Sequence, residues 1–403
     1  MLINIQDFIS RNITKRDVSM FSEDIKSNAE KLNLEINNKT VLVIGGAGSI
    51  GSSFIKALLP FKPKSLVVVD INENGLTELT RDLRSSVDFE IPEDYVTYPI
   101  NYSDAVFTKM FMSRNGFDIV ANFSAHKHVR SEKDRYSVEA LINNNVFNAR
   151  TLLDLLVDHK PSHFFCVSTD KAANPVNIMG GSKKVMEDLI MSYTDKFPVT
   201  TARFANVAFS NGSLPAGFIE RIFKNQPISA PSDVTRYFVS PQESGQICLL
   251  ACILGETGDI FFPKLQKEQM LTFSKIATSF LNELGYEVEE CTSEEEALNK
   301  ASQLTSDGKK YPVYFSSSNT TGEKPYEEFY TAGEITDLER FNALGVIIKQ
   351  SEIDTDNLKQ FLNDISVAFD NVNTKKEDIV TIMKRYLVNF DHKEEGKNLD
   401  SKM

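Results

Sequence analysis

Val41-Leu42-Val43-Ile44-Gly45-Gly46-Ala47-Gly48-Ser49-Ile50-Gly51 is the stretch that decides the fold. Four consecutive aliphatic residues read as a strand covered on both faces. The glycines that follow have the spacing Gly-x-x-Gly-x-x-Gly, and Phe54, Ile55, Leu58 and Leu59 then recur at helical spacing. Strand, glycine turn and helix, in that order, make a dinucleotide-binding unit. Glycine lets the main chain approach a pyrophosphate, and the first helical turn offers it amide N–H groups. Gly45, Gly48, Ser49, Ile50 and Gly51 are therefore the expected cofactor contacts. Ser65–Val69 reads as a second strand, and Asp70 closes it nineteen residues after Gly51. A carboxylate there accepts both hydroxyls of an adenosine ribose and repels a 2′-phosphate. No Lys or Arg follows directly in Ile71-Asn72-Glu73-Asn74, so NAD is expected in preference to NADP.

Outward from this unit the alternation continues. Tyr95–Ile100, Asp118–Phe123, Phe164–Val167 and Val199–Phe204 read as further strands, and Val138–Leu156 as a helix interrupted by Asn143-Asn144-Asn145. The pattern predicts an α/β fold, a Rossmann-type doubly wound parallel sheet with a smaller α/β substrate-binding lobe and helical terminal extensions. Residues 1–38 are expected to form a helical arm, and 39–210 the dinucleotide-binding domain, with 240–262 returning to it. Residues 211–239 and 263–349 are assigned to the substrate lobe, with 286–310 read as an elaborated hairpin or loop. Residues 350–403 are expected to be a helical extension with a disordered tail from Lys393. Apolar stripes on that extension (Leu358, Phe361, Leu362, Ile365; Ile379, Ile382, Met383) must be hidden on the body or across a subunit interface. A homo-oligomer, a dimer or larger, is the expectation.

The chain has 403 residues, 41% hydrophobic and 25% charged, ordinary values for a globular protein with a large core. A net charge of −12 argues against broad nucleic-acid binding. The longest apolar runs are too short to span a bilayer and the first residues show no signal pattern, so a cytoplasmic location is expected. Cys166, Cys248, Cys252 and Cys291 lack the paired spacing of a zinc site, and no metal is expected.

The chemistry is expected after the strand Phe164–Val167. Ser168-Thr169-Asp170-Lys171 falls where a parallel strand delivers its ligands, and Asn174-Pro175 then leads to a helix near Met179 that carries Lys183. This stretch resembles the extended short-chain dehydrogenase/reductase superfamily, with Met179 at the position of the superfamily's tyrosine in Tyr-x-x-x-Lys. Thr-Asp-Lys combined with Met-x-x-x-Lys is similar to the UDP-N-acetylglucosamine 4,6-dehydratases of bacterial polysaccharide biosynthesis. Lys127-His128-Val129, the Arg203-Phe204-x-Asn206-Val207 pattern, Thr235-Arg236-Tyr237-Phe238 and Gly322-Glu323-Lys324 match that family in order. The sequence departs from it where Arg130 replaces a proline and Asn211 replaces the arginine of Ser-Arg-Gly-Ser.

The resemblance implies an internal redox reaction on a UDP-sugar, giving a 4-keto-6-deoxy sugar nucleotide. It implies Lys171 as base at C5, Asp170 as acid at C6 and Thr169 as donor to the C4 oxygen. Lys183 is implied at the nicotinamide ribose and Asn101 near the adenine. Lys127, His128, Met179, Asn206, Arg236 and Glu323 are implied around the substrate. The alternatives are a sugar-nucleotide epimerase or a C5-inverting dehydratase on the same fold, and a non-catalytic dinucleotide-binding regulator.

Overall fold

Thr40–Ile44 (β1) lies inside the large sheet of the computed structural model, which describes residues 3–305, 307–317, 326, 328–349 and 353–392. The strands that follow in the chain are Ser65–Val69 (β2), Asp94–Tyr98 (β3), Ile119–Asn122 (β4), His163–Val167 (β5), Val199–Ala202 (β6) and Ile260–Pro263 (β7). Ile335–Asp337 (β8) and Leu344–Lys349 (β9) complete a sheet of nine strands among the described residues, in the order β8-β9-β7-β6-β5-β4-β1-β2-β3. From β3 to β7 every pairing is parallel, whereas β9 runs antiparallel to both β7 and β8. The strand order reverses between β1 and β4. In an open parallel sheet that reversal opens a crevice at the carboxyl ends of the strands.

The predicted doubly wound α/β class is the observed one. Strands β1, β2, β4, β5 and β6 are buried nearly throughout, as continuous aliphatic runs between two helical layers must be. Two expectations are corrected here. Residues 335–349 pair with the large sheet and not with the smaller lobe. Leu344, Val346 and Ile347 are buried, and an apolar run of this kind finds cover beside Phe261 and Phe262 at the sheet edge. Residues 286–310, read as a hairpin or loop, instead form a parallel strand–helix–strand unit. Glu287–Cys291 and Lys310–Ser316 pair in parallel, joined by the helix Glu294–Ala301, whose start is capped by Ser293. Three consecutive glutamates, Glu294 to Glu296, obscured that helix, whose buried side is only Ala297 and Ala301.

Lys310–Ser316 also pairs with Ile228–Pro231, and this small sheet has its own core of Phe218, Ile228, Phe280, Leu281, Tyr311 and Val313. The N-terminal arm joins the two cores. Phe8 packs edge-on against Phe209 and Phe280 in the smaller core, while Phe21, Leu32 and Ile36 belong to the larger one. The stretch read as a helix over Val138–Leu156 interrupted at Asn143-Asn144-Asn145 is Arg135–Ile142, a wide turn over Asn143–Phe147, and Asn148–Asp158. The wide turn aims Asn145 inward.

The C-terminal helices Thr355–Asp370 and Lys376–Tyr386 cover their stripes within the chain. Leu358, Phe361, Leu362, Ile365, Ile379 and Met383 are buried in the larger core. The apolar faces that suggested an oligomer are therefore spent on the body. The tail from Lys393 lies outside the described residues.

One interior cluster sits behind the carboxyl end of β5. Arg203 is fully buried and donates to Glu187 at 3.0 and 2.8 Å, to Glu334 at 2.8 and 2.9 Å, and to the Phe329 carbonyl at 2.9 Å. Burial disfavours the Glu187 carboxylate, yet the charge and hydrogen bonds of Arg203 outweigh it and hold its pKa below the usual range. Breaking one arm of a buried ion cluster costs about 3 kcal/mol or more, so Glu187→Gln should lower the unfolding free energy by that order in a urea titration. A depressed folded pKa stabilises above the unfolded value and is lost as pH falls through the folded one. Wild type should accordingly lose stability more steeply than Glu187→Gln below its ordinary carboxylate value of 4.5.

Candidate active site

The glycine turn after β1 packs so closely on neighbouring main chain that side chains on it would clash. Gly45 has φ of 74°, and a methyl group on it would lie 2.6 Å from the Ser124 nitrogen. On Gly51 it would lie 2.4 Å from the Gly45 carbonyl oxygen. Helix Ser49–Leu58 starts there, with Gly48 at its cap. Asp70 closes β2 and accepts from the Ala47 N–H at 3.0 Å and the Asn72 N–H at 2.9 Å, which fixes the carboxylate beside the turn. Asn101 folds its side-chain oxygen back onto Ser103, accepting from its N–H and hydroxyl at 3.1 Å each.

At the end of β5, Asp170 is 3% exposed. One of its oxygens accepts from the Thr169 hydroxyl at 2.9 Å and from Lys171 Nζ at 3.0 Å. The preceding residue, Ser168, donates to Glu187 at 2.6 Å, which anchors the turn to the Arg203 cluster. On the other side of the turn, Asn174 donates to Glu328 at 3.0 Å. The helix Ile178–Met191 then begins under Asn177, whose side chain caps Gly180. Met179 is 2% exposed, and its N–H donates to Glu132 at 2.7 Å. Asn145 pins this region from the opposite helix: it bonds the main chain of His126 at 2.8 and 3.0 Å and Ser182 at 3.0 Å.

A cavity of about 710 Å³ opens between the two lobes, and Lys127, His128, Lys171 and Asn206 all line it. Lys127 reaches across to the Asn211 carbonyl at 3.0 Å, and the Asn211 N–H donates to Ser49 at 2.8 Å. Enclosure by the cavity walls lowers the Lys127 pKa. His128 is lowered by the same desolvation and further by Lys127, Arg130 and His126. Asn206 is held by the Tyr237 carbonyl, which accepts from its N–H at 3.0 Å.

Other expected residues lie elsewhere. Lys183 points into the interior, 3% exposed, where its Nζ donates to the Val167 carbonyl at 2.6 Å and burial lowers its pKa. Arg236 is buried on a short strand pairing with Leu271–Thr272, donates to the Thr235 carbonyl at 2.9 Å, and is not part of the cavity wall. Glu323 and Lys324 lie outside the described residues. The sequence reading passed over two cavity cations, Arg130 and Arg221. Arg130 could have been suspected from the proline it replaces. Arg221, on the helix Leu214–Phe223, carried no local signal beyond amphipathic spacing. Among the described residues, no cluster of His, Cys, Asp and Glu is arranged to hold a metal ion.

The chain is similar to known proteins over most of its length. It is 30% identical to MJ1061 of Methanocaldococcus jannaschii, an "uncharacterized membrane protein", over 86% of this chain and 96% of that one. Among the described residues here, no helix is long and apolar enough to cross a membrane. The capsular polysaccharide biosynthesis protein CapD of Staphylococcus aureus is 28% identical over 64% of this chain, which spans 41% of CapD's length. A UDP-glucose 4-epimerase of Rickettsia bellii is 30% identical over 61% of this chain and 72% of the epimerase. The structure of DesIV, a dTDP-glucose 4,6-dehydratase of Streptomyces venezuelae solved with NAD and TYD bound, shares the fold with a TM-score of 0.52. Its identity is 19%, over 70% of this chain and 88% of DesIV. The family model described as polysaccharide biosynthesis protein matches residues 41–348, the span that holds the glycine turn, the Thr169–Lys171 turn and the cavity, and the chain belongs to that family.

Proposed function

We infer that the chain catalyses NAD-dependent 4,6-dehydration of a nucleotide-activated N-acetylhexosamine, UDP-N-acetylglucosamine. The observation that carries this reading is the Asp170 carboxylate, buried at the end of β5 and bonded to both Thr169 and Lys171, with Lys171 on the cavity wall. Gly45 and Gly51 let the turn after β1 pack directly on main-chain atoms ahead of the helix start at Ser49, whose amides suit a pyrophosphate, and Asp70 is held beside that turn, which suits an adenosine ribose. NAD bound in DesIV supports the same cofactor here. When bound, NAD supplies hydride acceptance and return.

The remaining work falls to side chains. Thr169 donates to the C4 oxygen and steadies charge there. Lys171 and Asp170 are 3.0 Å apart, so one proton shift turns ammonium and carboxylate into amine and carboxylic acid. The amine takes the C5 proton, acidified by the C4 ketone. The acid protonates the C6 hydroxyl, which leaves as water; the Lys171 ammonium then returns its proton to C5 as C6 is reduced, and a solvent proton restores the ammonium–carboxylate pair. His128 faces the same cavity with a lowered pKa and is neutral at pH 7, able to take the C4 hydroxyl proton that Met179 cannot.

The 4-epimerase relative favours a second reading, inversion at C4. Epimerisation expels no water and leaves the Asp170–Lys171 pair without a task. Incubation with UDP-N-acetylglucosamine in deuterated water separates the two. Dehydration gives a 4-keto-6-deoxy product by NMR, and epimerisation gives a C4 epimer without that ketone.

In that assay Lys171→Ala should cut product formation by roughly 100-fold or more, with NAD affinity unchanged by calorimetry. Full turnover in the variant would remove the lysine from the chemistry. Met179→Leu, which conserves volume at a buried position, should retain turnover within about threefold. Its inactivity in a folded protein would assign the methionine a role.

A further inference from the structure

The helix Leu214–Phe223 forms one wall of the cavity and carries a glycine where packing asks for none. A side chain built on Gly217 would meet nothing within 4 Å. Glycine inside a helix destabilises it relative to alanine, so the missing methyl is unexplained by the protein's own contacts. Arg221 follows four residues later, on the same helical face, and also lines the cavity. Arg130 and Lys127 stand on the loop after β4 that supplies another wall. The one acid of this wall, Glu220, is paired with Lys224 at 3.0 Å. The cavity is thus lined by the cations Lys127, Arg130, Lys171 and Arg221 in a chain whose net charge is −12.

We propose that Arg221, with Arg130 and Lys127, binds the diphosphate of the nucleotide sugar, which lies across the open surface left by Gly217. The site rests on the nucleotide-sugar reading above. Gly217 provides room for the phosphates against the helix, and Arg221 engages them one turn further on. A guanidinium takes two phosphate oxygens in one fixed planar fork, a geometry that a lysine ammonium does not impose.

Calorimetric titration of the full chain, saturated with NAD, with UDP and with UMP tests this. Arg221→Gln should weaken UDP by about tenfold or more and UMP by about threefold or less, because the loss tracks the second phosphate. Gly217→Leu should keep or raise the thermal midpoint and weaken UDP by more than about tenfold. Parallel weakening of UDP and UMP in Arg221→Gln, or wild-type UDP affinity in it, would overturn the assignment. So would wild-type UDP affinity in Gly217→Leu, or loss of its fold, since either means that the space above Gly217 is not the ligand's. Gly217→Ala serves as the milder steric variant, expected between the two. A wild-type chain that binds NAD but no UDP would instead remove the nucleotide-sugar substrate, and this site with it.

Discussion

Arg203 is the tie on which the turn Thr169-Asp170-Lys171 depends. It follows β6 directly, and all five of its N–H donors are used: three on Glu187 and Phe329, two on Glu334. Glu187 belongs to the helix after the turn and also holds Ser168, the residue before Thr169. Glu334 caps the Thr331 N–H and fixes the segment that leads into β8. One guanidinium thereby sets the spacing of strand, helix and return segment behind Thr169-Asp170-Lys171. A buried ion cluster is a poor source of net stability, because desolvation cancels most of the attraction. Its geometry is strict, however, and strict geometry is what a turn carrying an acid and a base within 3 Å requires. An apolar replacement would pack, but it would leave Ser168 and the Phe329 carbonyl without their present partners.

The sheet was legible in the sequence because its signals are local. Val41–Ile44 is aliphatic throughout, Gly45 and Gly51 sit where a side chain would strike main-chain atoms, and Asp70 ends β2 beside them. Features set by distant partners were not legible. β9 is a short apolar run whose assignment to the large sheet depends on the free edge of β7, 80-odd residues earlier in the chain. Lys183 has the spacing of a cofactor ligand, but a lysine stem can turn either way from a helix, and here it turns toward the Val167 carbonyl. Arg236 sits in a recognisable pattern and is drawn to a strand beside Leu271. Arg221 reaches the cavity only because its helix packs against the small sheet, which no local spacing announces. Thr169, Asp170 and Lys171 were within reach of sequence reasoning because they are adjacent and follow a strand, so the backbone alone brings them together.

Methionine in place of a proton carrier changes what the rest of the site must do. Met179 is buried and its main chain is capped by Glu132, so it helps set the start of the helix and offers no proton to the cavity. In the proposed reaction the C4 hydroxyl proton then falls to His128, and the protons at C5 and C6 to the turn before the helix. The Asp170–Lys171 contact is suited to this because its two protonation arrangements have the same total charge. In that exchange one proton crosses the 3.0 Å between Lys171, on the cavity wall, and the buried Asp170. The same exchange that makes lysine a base makes aspartate an acid, which matches the paired demand of removing a C5 proton and expelling a C6 hydroxyl. A reaction that needed only one proton moved at C4 would have no use for a coupled pair. In the proposed reaction the pair at the end of β5 has a task in the loss of water, and in the alternative, inversion at a single carbon, it has none.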